Sequence, residues 1–202
     1  MEKLTENRTG AAADKTAWIK RFAWLLLLYA APSPAVSYLI DPGHTYPSFE
    51  INHLGFSTQR GRFNASKGVI ELDQVNQTGS IDISIDVASL DTGHALRDRI
   101  LLGPDWFDRE RFPTIRYRAN RFIFAGGKPV AVAGELTLRG ITQPLQLEVS
   151  RFHCGINLTV QKRACGADAH GVISRSAFGM TSGLPFVGDE VRLDIQVEAH
   201  VQ

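Results

Sequence analysis

Tyr38-Leu39-Ile40-Asp41-Pro42-Gly43-His44, then Phe49-Glu50-Ile51-Asn52-His53-Leu54-Gly55-Phe56, then Ser57-Thr58-Gln59-Arg60-Gly61-Arg62-Phe63 is an extended apolar segment that passes through turn residues into a long, bent strand. Phe49, Ile51 and His53 fall on one face of a period-2 strand. Gly55 interrupts the alternation, which in an extended chain signals a β-bulge or a barrel corner. A long strand that must bend suits a closed barrel.

Further along the chain, Ile81, Ile83, Ile85 and Val87 alternate with Asp82, Ser84 and Asp86, so one face meets an apolar interior and the other meets water. Gly68–Asp73, Ile115–Ala119 with Phe122 and Phe124, Val130–Leu138, Leu145–Val149, Gly171–Arg175 and Val191–Val201 read as further strands. Between them lie turn signals at Asn76–Gly79, at Gly126-Gly127 and at Arg139–Pro144. Ala95–Leu102 reads as one short helix, with Asp91 or Thr92 as its N-cap and Leu96, Ile100 and Leu101 available to cover a barrel end. The pattern predicts an all-β, antiparallel domain. A barrel is preferred to a sandwich because the strands are long, glycine recurs where they must bend, and they number about eight, enough to enclose one small ligand.

Residues 1–37 are expected to lie outside this fold. Lys15, Lys20 and Arg21 precede the apolar run Phe22–Ala31, and Ala35-Val36-Ser37 offers small residues to a signal peptidase, so cleavage is expected before Tyr38. The apolar run is shorter than the ~20 residues a membrane span wants. The remaining 165 of the 202 residues fit one domain, 38–202. The leader takes five of the 22 Lys/Arg and three of the 21 Asp/Glu with it, leaving a formal charge of −1. A chain so near neutrality lacks the basic footprint that a nucleic acid demands. The run Arg109, Arg111, Arg116, Arg118 and Arg121 reads as a solvated strand face, since Arg116 and Arg118 alternate with Ile115 and Tyr117.

Catalytic signatures are lacking. There is no Gly-x-Ser-x-Gly elbow, no phosphate-binding glycine loop and no His-Glu-x-x-His, and Asp41 with His44 reads as a turn-stabilising pair. No cofactor is expected. Cys154 and Cys165 read as a disulfide of an exported protein, with a Cys2His2 metal site using His153 and His170 as the alternative.

Several motifs together resemble the YceI-like family, periplasmic polyisoprenoid-binding proteins with a lipocalin-like barrel. They are the Asp41-Pro42-x-His44 turn, His53-Leu54-Gly55-Phe56-Ser57 with Arg60-Gly61-Arg62-Phe63, Leu90-Asp91-Thr92-Gly93 with Arg97-Asp98, and Asp105-Trp106-Phe107-Asp108 with Phe112-Pro113. Gly134–Pro144, Ser174-Arg175-Ser176-Ala177-Phe178-Gly179-Met180 and Gly188-Asp189-Glu190 continue the likeness. Ala177, where many members carry Asp, and Arg139-Gly140, where His-Gly is common, depart from it.

The resemblance implies a barrel lumen holding an isoprenoid, quinone-like or fatty amide or acid ligand, sometimes in a homodimer. Residue patterns alone leave a filled core equally open. The lumen candidates are Phe49, Ile51, Phe56, Phe63, Ile83, Ile85, Trp106, Phe107, Phe112 and Phe122, and the head-group candidates are His44, Arg60, Asp91 and Arg97. The expected partners are the lipid and, transiently, the membrane or a membrane protein that donates lipid or electrons. The competing readings are a metal- or haem-dependent redox protein using His53 or His170, and a structural stress-response barrel with a filled core.

Overall fold

The structure is a computed structural model that describes residues 35–202. Its strands are β1 (Val36–Ile40), β2 (Tyr46–His53), β3 (Ser57–Phe63), β4 (Ser66–Asp73), β5 (Thr78–Asp86), β6 (Leu90–Asp91), β7 (Thr114–Ala125), β8 (Lys128–Leu138), β9 (Ile141–Asn157), β10 (Lys162–Ser174) and β11 (Val187–Val201). One helix, α1 (Ala95–Leu101), lies between β6 and β7. All the pairings are antiparallel, and β1 pairs with both β4 and β11, so the sheet closes on itself. Three pairs of strands continue one another across a kink: β1 into β2, β3 into β4 and β5 into β6. The barrel therefore has eight long staves in meander order, as the sequence predicts.

The kinks are where the ring bends, and side-chain hydroxyls help to hold the first two of them. Between β1 and β2, the Thr45 hydroxyl donates to the Glu198 carbonyl at 3.2 Å and accepts from the Glu198 N–H at 3.3 Å. A backbone partner would make the same two bonds. Between β3 and β4, Asn64 N–H donates to the Ser89 carbonyl and Ala65 N–H to the Ser89 hydroxyl. Bulges lie at Asn120, Val130 and Ser150, where one residue is left over in the pairing, and at Gly188–Glu190.

The expectation of a bulge at Gly55 is corrected. Leu54 and Gly55 both have positive φ, 57° and 72°, and Phe56 N–H donates to the His53 carbonyl at 3.0 Å, so this is a tight hairpin turn between β2 and β3. The N-cap of α1 is also corrected: His94 Nδ1 accepts from Arg97 N–H, while Asp91 and Thr92 make other bonds. Of the expected leader, residues 1–34 lie outside the described residues. Val36 and Ser37 pair with Leu72 and Glu71, so β1 starts two residues ahead of the expected junction.

Inward faces carry the apolar half of each alternation. One buried cluster contains Phe63, Ile85, Val87, Ile115, Tyr117, Leu136, Leu145 and Phe178, and a second contains Tyr38, Ile40, Leu72, Cys165 and Ala199. The outer faces are charged, and Arg116 and Arg118 both pair with Asp82. The Arg116 hydrogen bond holds the Asp82 carboxyl below its ordinary range.

Gly61 sits opposite Phe49, and a Cβ there would stand 2.4 Å from the Phe49 ring. Gly61→Ala is expected to destabilise the barrel by about 1–3 kcal/mol by forcing Phe49 off its place. Thermal unfolding of the variant checks this, and an unchanged midpoint would show that the ring has room to move.

Candidate functional site

Two apolar chambers lie along the barrel. The outer one, about 260 Å³, sits at the α1 end, and the inner one, about 140 Å³, runs towards the end with β1. Pro47, Ile85, Leu136 and Ile195 wall both. Together, at about 400 Å³, they fall in the range of roughly 300–1,000 Å³ typical of ligand pockets. The interior is thus hollow, which a filled core would not leave.

Eight of the ten lumen candidates line these chambers. Phe49, Ile51, Phe63, Trp106 and Phe107 line the outer one, Ile83 and Phe122 the inner one, and Ile85 both. The rings of Phe49, Phe63 and Phe107 pack on one another with centroids 5.4–6.2 Å apart. Two candidates are corrected. Phe56 is 89 % exposed at the hairpin tip, because the turn at Leu54-Gly55 resets the alternation on which its assignment rested. Phe112 lies outside both chambers, where its ring packs beneath Gly140 and against the Arg111 guanidinium at 5.1 Å. A buried turn at Asp108, whose carbonyl accepts from Phe112 N–H at 2.8 Å, carries it there.

The head-group candidates divide. Arg60 and Arg97 line the outer chamber, which reaches the surface beside Ile100. His44 and Asp91 do not line either chamber. Asp91 accepts from Gly93 N–H at 2.8 Å and from Asn64 at 3.2 Å, bonds that hold its carboxyl below the ordinary range.

His44 Nδ1 lies 2.9 Å from Asp41 Oδ2, and that hydrogen bond raises the imidazole above its ordinary 6.5 and lowers the carboxyl below 3.8. The raised histidine contributes stability that is fully present below 6.5 and is lost as pH rises through its folded value. The lowered aspartate contributes stability that is present above 3.8 and is lost as pH falls through its folded value. The turn is therefore firmest between those two values. Asp41→Asn is expected to bring the His44 titration back towards 6.5 in an NMR pH series, and an unmoved titration would contradict the pairing.

Three interior residues carry no strong signal in the sequence. Gln59 lines the outer chamber because it pairs with Ile51 across the β2–β3 hairpin. Tyr117 lines the inner chamber, with its hydroxyl donating to the carbonyls of Val132 at 3.1 Å and Leu145 at 3.2 Å, and burial pushes it up to about 12. Arg175 is 1 % exposed and lines the outer chamber. It donates to the carbonyls of Gly188, Met180 and Val187 at 2.8, 2.6 and 2.9 Å, and its guanidinium lies over the Trp106 ring at 5.0 Å. Burial pushes this guanidinium below its usual range. Arg139, at one of the departures from the family pattern, donates to the carbonyls of Trp106 and Pro104 and so anchors the same loop.

The cysteine alternative is settled: Cys154 and Cys165 face one another across β9 and β10 and are bonded to each other, so neither sulfur is a free ligand. His170 lies instead against Ser150 and Asp194, at 2.8 and 3.1 Å.

A family model described as the YceI-like domain matches residues 38–199. A UPF0312 protein of Photorhabdus laumondii is 35 % identical over 179 residues, covering 87 % of this chain and 92 % of that one. Among solved structures, BcnA of Burkholderia cenocepacia superposes with a TM-score of 0.66 at 25 % identity, over 79 % of this chain and 98 % of its own. A polyisoprenoid-binding domain from Saccharophagus degradans, implicated in plant cell wall breakdown, superposes with a TM-score of 0.60 at 15 % identity, over 83 % and 99 %, a likeness of fold.

Proposed function

Because the chain belongs to the YceI-like family and its barrel is hollow and apolar, we propose that it is a non-enzymatic periplasmic carrier or store for an isoprenoid or similar long-chain lipid. The observation that carries this reading is the pair of chambers in line along one barrel, a shape suited to an extended tail. Sequestering roughly ten methylenes at ~0.8 kcal/mol each amounts to about 8 kcal/mol before ordering costs, enough for binding near the micromolar range. No precise polar fit is needed for that affinity.

Export rests on the leader-like residues 1–37. Loading from a lipid surface is supported by the exposed Leu54, Phe56 and Phe186, which share one tip because Leu54 N–H donates to the Phe186 carbonyl at 2.8 Å. His53 and Val187, next to that tip, line the outer chamber. A homodimer is a further part of the proposal that the family resemblance supports.

Native mass spectrometry of protein purified from its export route, with organic extraction of the same sample, tests the reading. A discrete adduct that extracts as a long-chain lipid is expected. An empty protein that also takes up no polyprenyl or fatty probe from vesicles would overturn it.

A further inference from the structure

The charges around the outer chamber are one-sided. Its lining includes Arg60, Arg97, Arg175 and His53, and no Asp or Glu among the described residues. Two of the three guanidiniums are already engaged. Arg60 Nε lies 2.6 Å from Glu50 on the outer face, and Arg175 is spent on three carbonyls.

Arg97 is different. Its Nε donates to the Thr92 hydroxyl at 2.8 Å, one terminal nitrogen donates to the Thr92 carbonyl at 2.6 Å, and the other donates to the Gln59 side-chain oxygen. All three partners are neutral. The carboxylate beside it, Asp98, instead accepts from the Thr92 N–H at 2.9 Å and from the Thr92 hydroxyl, so it orients Thr92. A guanidinium has five N–H groups, and these contacts use three. What remains is a half-buried cation held in a fixed orientation, without an ion-pair partner among the described residues, beside the apolar volume bounded by Phe49, Ile100 and Phe107. A rigid guanidinium fork of this kind recognises a planar or tetrahedral oxyanion through charge-assisted hydrogen bonds.

The inner chamber supplies the contrast. Among the described residues, its ionisable side chains are Tyr38 and Tyr117. A ligand with a charged head and an apolar tail therefore has one favourable orientation, head at α1 and tail inward past Pro47, Ile85, Leu136 and Ile195.

We propose that the barrel prefers an amphiphile with an oxyanion head, carboxylate or phosphate, held by Arg97, over a neutral lipid with the same tail. The proposal rests on the lipid-binding reading and adds the head-group class to it.

Equilibrium binding at low salt tests it with two matched pairs of probes: hexadecanoic acid against hexadecanol, and farnesyl phosphate against farnesol. The acid of at least one pair is expected to bind about tenfold or more tightly than its alcohol. In Arg97→Gln that preference is expected to disappear while the alcohol affinities stay, and Arg97→Lys, which keeps the charge but loses the fork, is expected to retain part of it. Whichever pair shows the larger ratio assigns the source as a fatty acid or a prenyl phosphate. Equal affinities within both pairs in the unmodified protein would overturn the proposal and leave the carrier reading standing, as would a preference that survives in Arg97→Gln. Failure of all four probes to bind would overturn the lipid-binding reading and this proposal with it.

Discussion

Arg175→Met is expected to destabilise the barrel by about 3–5 kcal/mol, the largest stability loss we anticipate from one substitution. Methionine fills much of the space but donates nothing, so the buried carbonyl of Met180 and the part-buried carbonyls of Gly188 and Val187 all lose this donor. The buried Met180 carbonyl costs about 1–3 kcal/mol and the two part-buried ones less, and the contact with the Trp106 ring is lost as well. Relief of the guanidinium's own desolvation offsets part of this sum. Arg175→Lys keeps a charge but cannot reach three diverging carbonyls from one nitrogen, so it is expected to recover only part of the loss. Urea unfolding measures both variants: a lowered midpoint at constant slope is the expected result, and a midpoint unchanged in Arg175→Met would show that water replaces the guanidinium at no penalty.

Ala169→Phe is expected to weaken binding of long-chain lipids by several hundred-fold. Ala169 is buried, lines the inner chamber and lies opposite Ile195 of β11. A benzyl group there occupies the space of roughly four or five methylenes, worth ~0.8 kcal/mol each, or about 3–4 kcal/mol of affinity. Probes short enough to stay in the outer chamber are expected to bind the variant as they bind the unmodified barrel. Isothermal titration with a short and a long fatty probe makes the comparison. Equal losses for both would mean that the phenyl ring disturbs the whole barrel. No loss for the long probe would mean that the tail does not enter the inner chamber.

These two substitutions bear on different layers of information in the chain. Ala169 lies in a strand whose sequence, Ala-Cys-Gly-Ala-Asp-Ala-His-Gly, has little of the apolar alternation that marks β5 or β11. Its small side chains help to leave the inner chamber open. Large residues advertise a core, whereas a cavity is made by what is missing opposite them, and a scan for apolar residues passes over that. Phe56 and Phe112 err in the other direction. Both are aromatic and near apolar runs, yet one is turned out by a hairpin with two left-handed residues and the other is carried aside by the Asp108 turn. A tight turn shifts the phase of the alternation, and the shift is invisible until its backbone geometry is known.

The long meander of about eight strands, the position of helix α1 and the inward set of Ile81, Ile83 and Ile85 were determined by the sequence alone, because period-2 alternation and turn chemistry are local properties. So was the likeness to the YceI-like family. Tertiary structure alone decided that β1 and β2 form one stave kinked at Thr45, that the lumen is hollow, and that Arg97 lines the chamber with neutral partners while Arg175 is buried among carbonyls. Each of these depends on atoms brought together from strands distant in the chain. Backbone carbonyls and empty volume, the decisive partners here, carry no side-chain signature.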